Sequence, residues 1–101
     1  MPKPHTVIVV LEARAGKEQA LASTLKAVVK PSRSEDTCLE YRLHQNSDNP
    51  TQFVLYEQWE SREKHQEQFT KPYIVELGEK LDTLLAKPYQ VILQQNCFES
   101  W

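Results

Sequence analysis

The pattern of apolar residues predicts a strand and then a helix in the first third of the chain. Residues His5 to Glu12 include the β-branched run Val7-Ile8-Val9-Val10-Leu11, which is typical of a strand buried on both faces. Beyond Gly16, apolar residues recur at helical spacing from Lys17. They form one stripe that consists of Leu21, Leu25, Val28 and Val29. Pro31 is predicted to end this helix.

Two alternating segments follow, and they predict a hairpin. Residues Cys38 to His44 and Phe53 to Trp59 alternate between apolar and polar positions, and the turn formers Asn46 to Pro50 connect them. Because successive strand side chains point to opposite faces, one face of the second strand carries Phe53, Leu55, Glu57 and Trp59. This face is predicted to be buried.

Helical spacing returns after Trp59. Ser61 can cap a short helix that runs to about Phe69, and Pro72 suits the first turn of a second helix. Pro88 is predicted to stop that second helix, whose apolar stripe is Ile74, Leu77, Leu81, Leu84 and Leu85. The last predicted strand runs from Tyr89 to Phe98.

This order predicts an α+β fold of the ferredoxin-like type, βαββααβ, over a single domain, 1–101. The simplest layered arrangement is a four-stranded antiparallel sheet with helices on one face. Val54 and Tyr56 would then make the other face apolar and exposed. Phe98 and Trp101 likewise have no local helix to cover them, so we expect a second copy to cover this face, as in a dimeric α+β barrel.

Composition limits the classes of partner. The 101 residues contain 12 Lys and Arg against 14 Asp and Glu, so the chain lacks the basic surface that nucleic-acid binding requires. No apolar run approaches the roughly 20 residues of a membrane span, and the N-terminus does not resemble a signal peptide. The two cysteines, Cys38 and Cys97, are expected to be reduced thiols. Together these features predict a cytoplasmic protein.

Glu57 is the residue with the clearest chemical interest. It lies between two bulky apolar residues on the face predicted to be buried, and a buried carboxylate costs several kcal/mol unless it is paired or hydrogen-bonded. Glu57 therefore either accepts hydrogen bonds from the backbone or from Arg42, or it lines a functional site.

The chain resembles the antibiotic biosynthesis monooxygenase family, which consists of small dimeric α+β barrels and includes quinol monooxygenases. The resemblance covers His5 to Phe98. Its most specific part is Phe53-Val54-Leu55-Tyr56-Glu57-Gln58-Trp59-Glu60-Ser61, which matches the family's apolar strand ending in Glu-x-Trp-x-Ser. Cys38-Leu39-Glu40-Tyr41 matches the opening of the preceding strand.

The chain departs from the family at two positions. The family usually has a histidine nine residues after the tryptophan and a second one five residues further, where this chain has Gln68 and Tyr73. The nearest histidine is His65, one helical turn before Gln68, so the two side chains share a helix face. His65 is therefore expected to act in place of the missing histidines.

The resemblance implies a dry aromatic pocket that holds the substrate next to a base. His65 and Glu57 are the candidate catalytic residues, with His44 as another group that could take the proton. Trp59, His65 and Gln68 are expected to line one cavity. The candidate substrate-binding residues are Phe53, Trp59, Gln68, Tyr73 and His44.

The implied function is a cofactor-independent monooxygenase that oxidises a quinol-like or polycyclic aromatic substrate with O2. Members of this type use neither metal nor flavin, and the chain contains no CxxC or HExxH motif for a metal. Two alternatives remain open, because one fold supports many functions. The first is a non-oxidative isomerase or lyase of the same fold, and the second is a dimeric barrel that binds a ligand without catalysis.

Overall fold

The computed structural model describes residues 4–95 and 97, in which three helices pack on one face of an antiparallel sheet. The strands are β1 (His5–Glu12), β2 (Cys38–Gln45), β3 (Gln52–Trp59) and β4 (Gln90–Gln95). The helices are α1 (Glu18–Arg33), α2 (Arg62–Glu67) and α3 (Pro72–Leu84), and a 3-10 turn over Gln68–Thr70 joins the last two.

The sheet has the strand order β2-β3-β1-β4, and every neighbouring pair is antiparallel. This arrangement confirms the predicted ferredoxin-like α+β fold. The register places Glu57 of β3 opposite Val7 of β1 on one side and opposite Tyr41 of β2 on the other. Residues opposite each other point to the same face, so Tyr41 and Glu57 are neighbours on one face of the sheet.

The core lies between that face and the helices. The alternation predicted for β3 is confirmed, because Phe53, Leu55, Glu57 and Trp59 are all buried. The prediction that β1 is buried on both faces is wrong for the single chain. Its helix side is covered, whereas Ile8 and Val10 on the other side are only half-buried. No described helix covers that second face, which leaves its apolar residues partly exposed.

Helix α1 continues beyond the predicted stop at Pro31 and ends at Arg33. A proline inside a helix removes one backbone hydrogen bond and costs about 3 kcal/mol, but tertiary contacts hold the extra turn. Ser32 is fully buried, and Arg33 Nε donates a hydrogen bond of 2.9 Å to the carbonyl oxygen of Tyr41. The turn that contains Ser32 is therefore fixed against β2.

Helix α3 starts at Pro72 as predicted, but it ends at Leu84 and not just before Pro88. The following residues leave the helix to pair with the end of β1, where Ala86 N donates to Glu12 O at 2.8 Å and Arg14 N donates to Leu84 O at 2.9 Å. The last strand, β4, covers Gln90–Gln95 of the described residues. Phe98 and Trp101, which were assigned to the strand end and the dimer face, lie outside the described residues.

Two further features concern the described residues. No helix within residues 4–95 is both long and apolar enough to cross a bilayer. Cys38 and Cys97 are free cysteines. Burial raises the pKa of the Cys38 thiol to about 11, so this thiol is protonated at neutral pH.

Candidate functional site

A cavity of about 80 Å³ lies between the helix side of the sheet and helix α3. Its wall is mainly apolar, and Phe69 and Tyr89, which are 50% and 46% exposed, border it on the solvent side. An apolar cavity that holds benzene measures roughly 150 Å³. The cavity is smaller than this, so a bound aromatic ring requires bordering side chains to move, and Phe69 and Tyr89 are the exposed aromatic ones among them.

One part of the cavity wall is polar and comes from four different elements. The contributing residues are Tyr41 of β2, Glu57 of β3, His65 of α2 and Gln68 of the 3-10 turn. All four are buried. Buried polar groups of this kind can fix the orientation of a ligand inside an otherwise apolar pocket.

The turn after β3 brings His65 to this wall. Ser61 Oγ accepts a hydrogen bond of 3.2 Å from Lys64 N, which confirms the predicted cap and starts α2 immediately after the strand. The helix then folds back over the sheet. The His65 ring lies 5.8 Å from the Trp59 ring and 5.0 Å from the Phe69 ring, measured between centroids.

Trp59 is the hydrogen-bond partner of Glu57. Its Nε1–H donates to Glu57 Oε1 at 2.9 Å. The Arg42 alternative is wrong, because Arg42 lies on the opposite sheet face and pairs with Glu40 at 2.7 Å. Burial raises the pKa of Glu57 to about 7, and the indole hydrogen bond limits the rise. Glu57 therefore exchanges its proton near neutral pH.

His65 is 5% exposed, so it faces the core and not the solvent. Its Nε2 lies 3.9 Å from Glu57 Oε1, which is too long for a hydrogen bond. Burial, with a smaller contribution from His5, lowers the pKa of His65 to about 4. His65 is therefore neutral at pH 7, and Glu57 is the stronger base of the two. A pKa close to the working pH favours proton transfer in catalysis.

Gln68 and Tyr73, which stand where the resemblance predicts histidines, contact each other. Gln68 borders the cavity, and its Nε2 lies 3.2 Å from the Tyr73 hydroxyl oxygen. Tyr73 does not border the cavity, and its hydroxyl donates to Glu35 Oε2, just beyond the end of α1, at 2.9 Å. Tyr73 therefore contacts Gln68 on the side away from the cavity.

The remaining predicted residues do not border the cavity. Phe53 and Trp59 are buried on the same sheet face, where Trp59 contacts Glu57 and His65 from outside the cavity wall. His44 is exposed, and it pairs with Val54 on the opposite face of the sheet. The structure thus brings together His65, Glu57 and Gln68, but it separates His44 from them.

Tyr41 was not among the predicted site residues. It is 2% exposed and borders the cavity beside Glu57. Burial and the neighbouring Glu57 raise the pKa of Tyr41 well above its ordinary value, so it remains a neutral hydroxyl. The alternation of β2 could have identified it, since it places Tyr41 on the same face as the buried residues of β3.

The polar residues of the cavity wall do not form a metal-binding cluster. Within residues 4–95 and 97, no three His, Cys, Asp or Glu side chains are grouped as metal ligands.

Similar proteins were found by sequence and by structure. The chain is 31% identical over 91 residues to the putative monooxygenase Rv0793 of Mycobacterium tuberculosis, a match that covers 90% of this chain and 89% of that protein. The structure of Rv0793 superposes with a TM-score of 0.90 and covers 97% of this chain and 99% of that one, at 28% identity. The crystal structure of PA3566 from Pseudomonas aeruginosa gives a TM-score of 0.92 at 28% identity and covers 97% and 98% of the two chains.

A longer relative also matches. The uncharacterized protein sll1783 of Synechocystis is 28% identical over 81 residues, which make up 80% of this chain but only 55% of that protein. The family model described as antibiotic biosynthesis monooxygenase matches residues 4–76, well over half of the chain. The chain therefore belongs to the antibiotic biosynthesis monooxygenase family.

Proposed function

We propose that the protein is a cofactor-independent monooxygenase that oxidises a quinol-like aromatic compound with O2. The observation that carries this proposal is a buried carboxylate, Glu57, whose pKa is raised to about 7 and which borders a mainly apolar cavity. The family membership supports the same reaction class, as does the similarity to Rv0793, which is named a putative monooxygenase.

The proposed reaction begins with a proton transfer. The Glu57 carboxylate takes the hydroxyl proton of the bound hydroquinone, because Trp59 occupies only Oε1 and no hydrogen bond from the described residues reaches Oε2. The resulting anion is electron-rich, and the apolar wall separates it from water. His65 stays neutral and packs against the pair.

The anion then transfers one electron to O2, which gives a semiquinone radical and superoxide. These two join at a ring carbon to form a peroxide. Glu57 returns its proton to the outer peroxide oxygen. The ring carbon then loses its hydrogen as a proton, the O–O bond breaks to leave a carbonyl at that carbon, and the departing hydroxide takes up the proton to give water. Hydroquinone and O2 thus become hydroxyquinone and water. The substrate supplies all the electrons, so no external reductant is consumed.

Labelled oxygen tests the proposal. Protein treated with a chelator and freed of flavin is incubated with ¹⁸O2 and a panel of one-ring and two-ring hydroquinones, and the rate without protein is subtracted. One labelled atom should appear in the product and one in water. Glu57→Gln should lower the rate by roughly 10²–10⁴, whereas Glu60→Gln, an exposed position next to the same strand, should not change it.

The absence of oxygen uptake with every hydroquinone would contradict the proposal. If such a protein still bound an aromatic in the cavity, the non-catalytic alternative would take its place. If it converted a small carbonyl compound without consuming O2, the isomerase or lyase alternative would take its place.

We also propose that the protein forms a homodimer through the sheet face that the described helices leave uncovered. That face carries the half-buried apolar side chains of Ile8, Val10, Val54, Tyr56 and Ile92. A second copy packed against it would bury more than about 1,000 Å². Light scattering at micromolar concentration should give a dimer mass, and a monomer mass would contradict this part of the proposal.

A further inference from the structure

A series of hydrogen-bonded side chains runs from the cavity wall to the C-terminal end of helix α1 and the residues just after it. Gln68 Nε2 lies 3.0 Å from Ser32 Oγ and 3.2 Å from the Tyr73 hydroxyl oxygen. The Tyr73 hydroxyl donates to Glu35 Oε2 at 2.9 Å. Glu35 Oε1 lies 3.4 Å from Lys71 Nζ, which is partly exposed. This series of side chains thus connects the buried amide of Gln68 with the Glu35–Lys71 charged pair near the surface.

The direction of the hydrogen bonds in this series is fixed at the Glu35 end. An ionised carboxylate can only accept hydrogen bonds, so the single hydroxyl hydrogen of Tyr73 must point to Glu35. The Tyr73 oxygen can then only accept from Gln68. This requirement determines which way the Gln68 amide is turned.

The amide nitrogen of Gln68 has no hydrogen left for a ligand. An amide NH2 has two donors, and those of Gln68 are directed to Ser32 and Tyr73. No donor among the described residues reaches Gln68 Oε1, and Gln68 borders the cavity. The group that Gln68 offers to a ligand is therefore an acceptor.

We propose that Gln68 Oε1 accepts a hydrogen bond from a substrate hydroxyl, so that the site selects a hydroquinone over the corresponding quinone. A quinone carries only carbonyl acceptors, and two acceptors facing each other in a buried site leave both unsatisfied. The inference rests on the proposed function. Tyr73 and Glu35 are positioning residues in it, because they act through Gln68.

Binding without turnover tests this selectivity. Affinities for hydroquinone and 1,4-benzoquinone are measured by calorimetry without O2. The protein carries Cys97→Ser, because the exposed Cys97 thiol would add to the quinone. Hydroquinone should bind more tightly than 1,4-benzoquinone does, by roughly tenfold or more. Gln68→Met, which keeps the side-chain length but removes the acceptor, should bring the two affinities within about twofold of each other.

Glu35→Gln provides the decisive variant. A glutamine at position 35 can donate as well as accept, so the Tyr73 hydroxyl can turn round and the Gln68 amide can flip its nitrogen toward the cavity. The preference for hydroquinone should then fall or reverse, although residue 35 lies outside the cavity wall. Glu79→Gln, which removes one negative charge from an exposed position of α3, should keep the preference.

The outcomes separate this inference from the proposed function. Equal affinities for hydroquinone and benzoquinone in the parent protein would overturn the inference alone. An unchanged preference in folded Glu35→Gln would overturn it as well, because the direction of the hydrogen bonds would then not matter. If neither compound binds, both the proposed function and the inference fail.

Discussion

The wild-type protein is expected to lose stability as the pH rises, because Glu57 ionises. The Glu57→Gln variant should not show this loss. Glu57 is 3% exposed, and burial raises its pKa from 4.5 to about 7. One pKa unit corresponds to about 1.4 kcal/mol, so the difference between 7 and 4.5 corresponds to about 3 kcal/mol. Because the side chain is almost fully buried, this value needs no reduction for solvent screening.

The sign follows from the higher pKa in the folded state. Between pH 4.5 and 7 the folded protein holds the Glu57 proton more firmly than the unfolded chain does. The stabilisation from this proton is complete below pH 4.5 and is lost as the pH rises through about 7. The amide introduced by Glu57→Gln cannot ionise, but its oxygen can still accept the hydrogen bond from Trp59.

Urea denaturation of both proteins at intervals from pH 4 to 9 measures the effect. The difference in free energy of unfolding, variant minus wild type, should grow by about 3 kcal/mol between pH 4.5 and 8. Comparing the two proteins largely cancels the contribution of the other titrating groups, and Glu60→Gln serves as the exposed control. Parallel curves for wild type and Glu57→Gln would refute the assignment of a raised pKa to Glu57.

Three other substitutions test separate parts of the structure. Trp59→Phe removes the indole donor that lowers the pKa of Glu57, so the midpoint of the pH–rate profile should move above 7. An unchanged midpoint would contradict the effect of Trp59 on this pKa. Ser61→Ala removes the acceptor for Lys64 N and should lower the free energy of unfolding by about 1 kcal/mol in urea titrations; no measurable loss would mean that the cap is unimportant. Phe69→Ala should raise kcat/KM for two-ring hydroquinones relative to one-ring ones, because the 80 Å³ cavity is bordered by this exposed ring, and equal changes for both sizes would argue against Phe69 as the entrance.

Features determined by neighbouring residues were predictable from the sequence. The alternation of β3 placed Glu57 and Trp59 on the buried face, and Ser61 and Pro72 marked the starts of two helices. These features depend on strand geometry, capping and the fixed φ of proline, all of which act within a few residues.

Features determined by distant parts of the chain were not predictable. Pro31 does not end α1, because Arg33 bonds to β2 beyond the helix. Gln68 is oriented by hydrogen bonds to distant residues. One of them is Ser32, which lies 36 residues before Gln68 in the sequence. No periodicity or motif reports such pairings, because they arise only when α1 packs beside the 3-10 turn.

The hydrogen-bond partner and the pKa of Glu57 could not be predicted from the sequence for the same reason. The sequence placed a carboxylate on a buried face, but it could not distinguish Trp59 from Arg42 as its partner. It also favoured His65 as the base from the ordinary pKa of histidine. Burial lowers the pKa of His65 and raises that of Glu57, which reverses their order as bases.

The pH dependence of kcat/KM for oxygen uptake with hydroquinone tests the central claim most directly, namely that Glu57 is the base. In the wild-type protein kcat/KM should rise about tenfold per pH unit below pH 7 and level off above it, because the Glu57 carboxylate must be free to accept the proton. Glu57→Gln should be slower by roughly 10²–10⁴ and should lack this rise. A wild-type midpoint near 4, or the same rise in folded Glu57→Gln, would contradict the account.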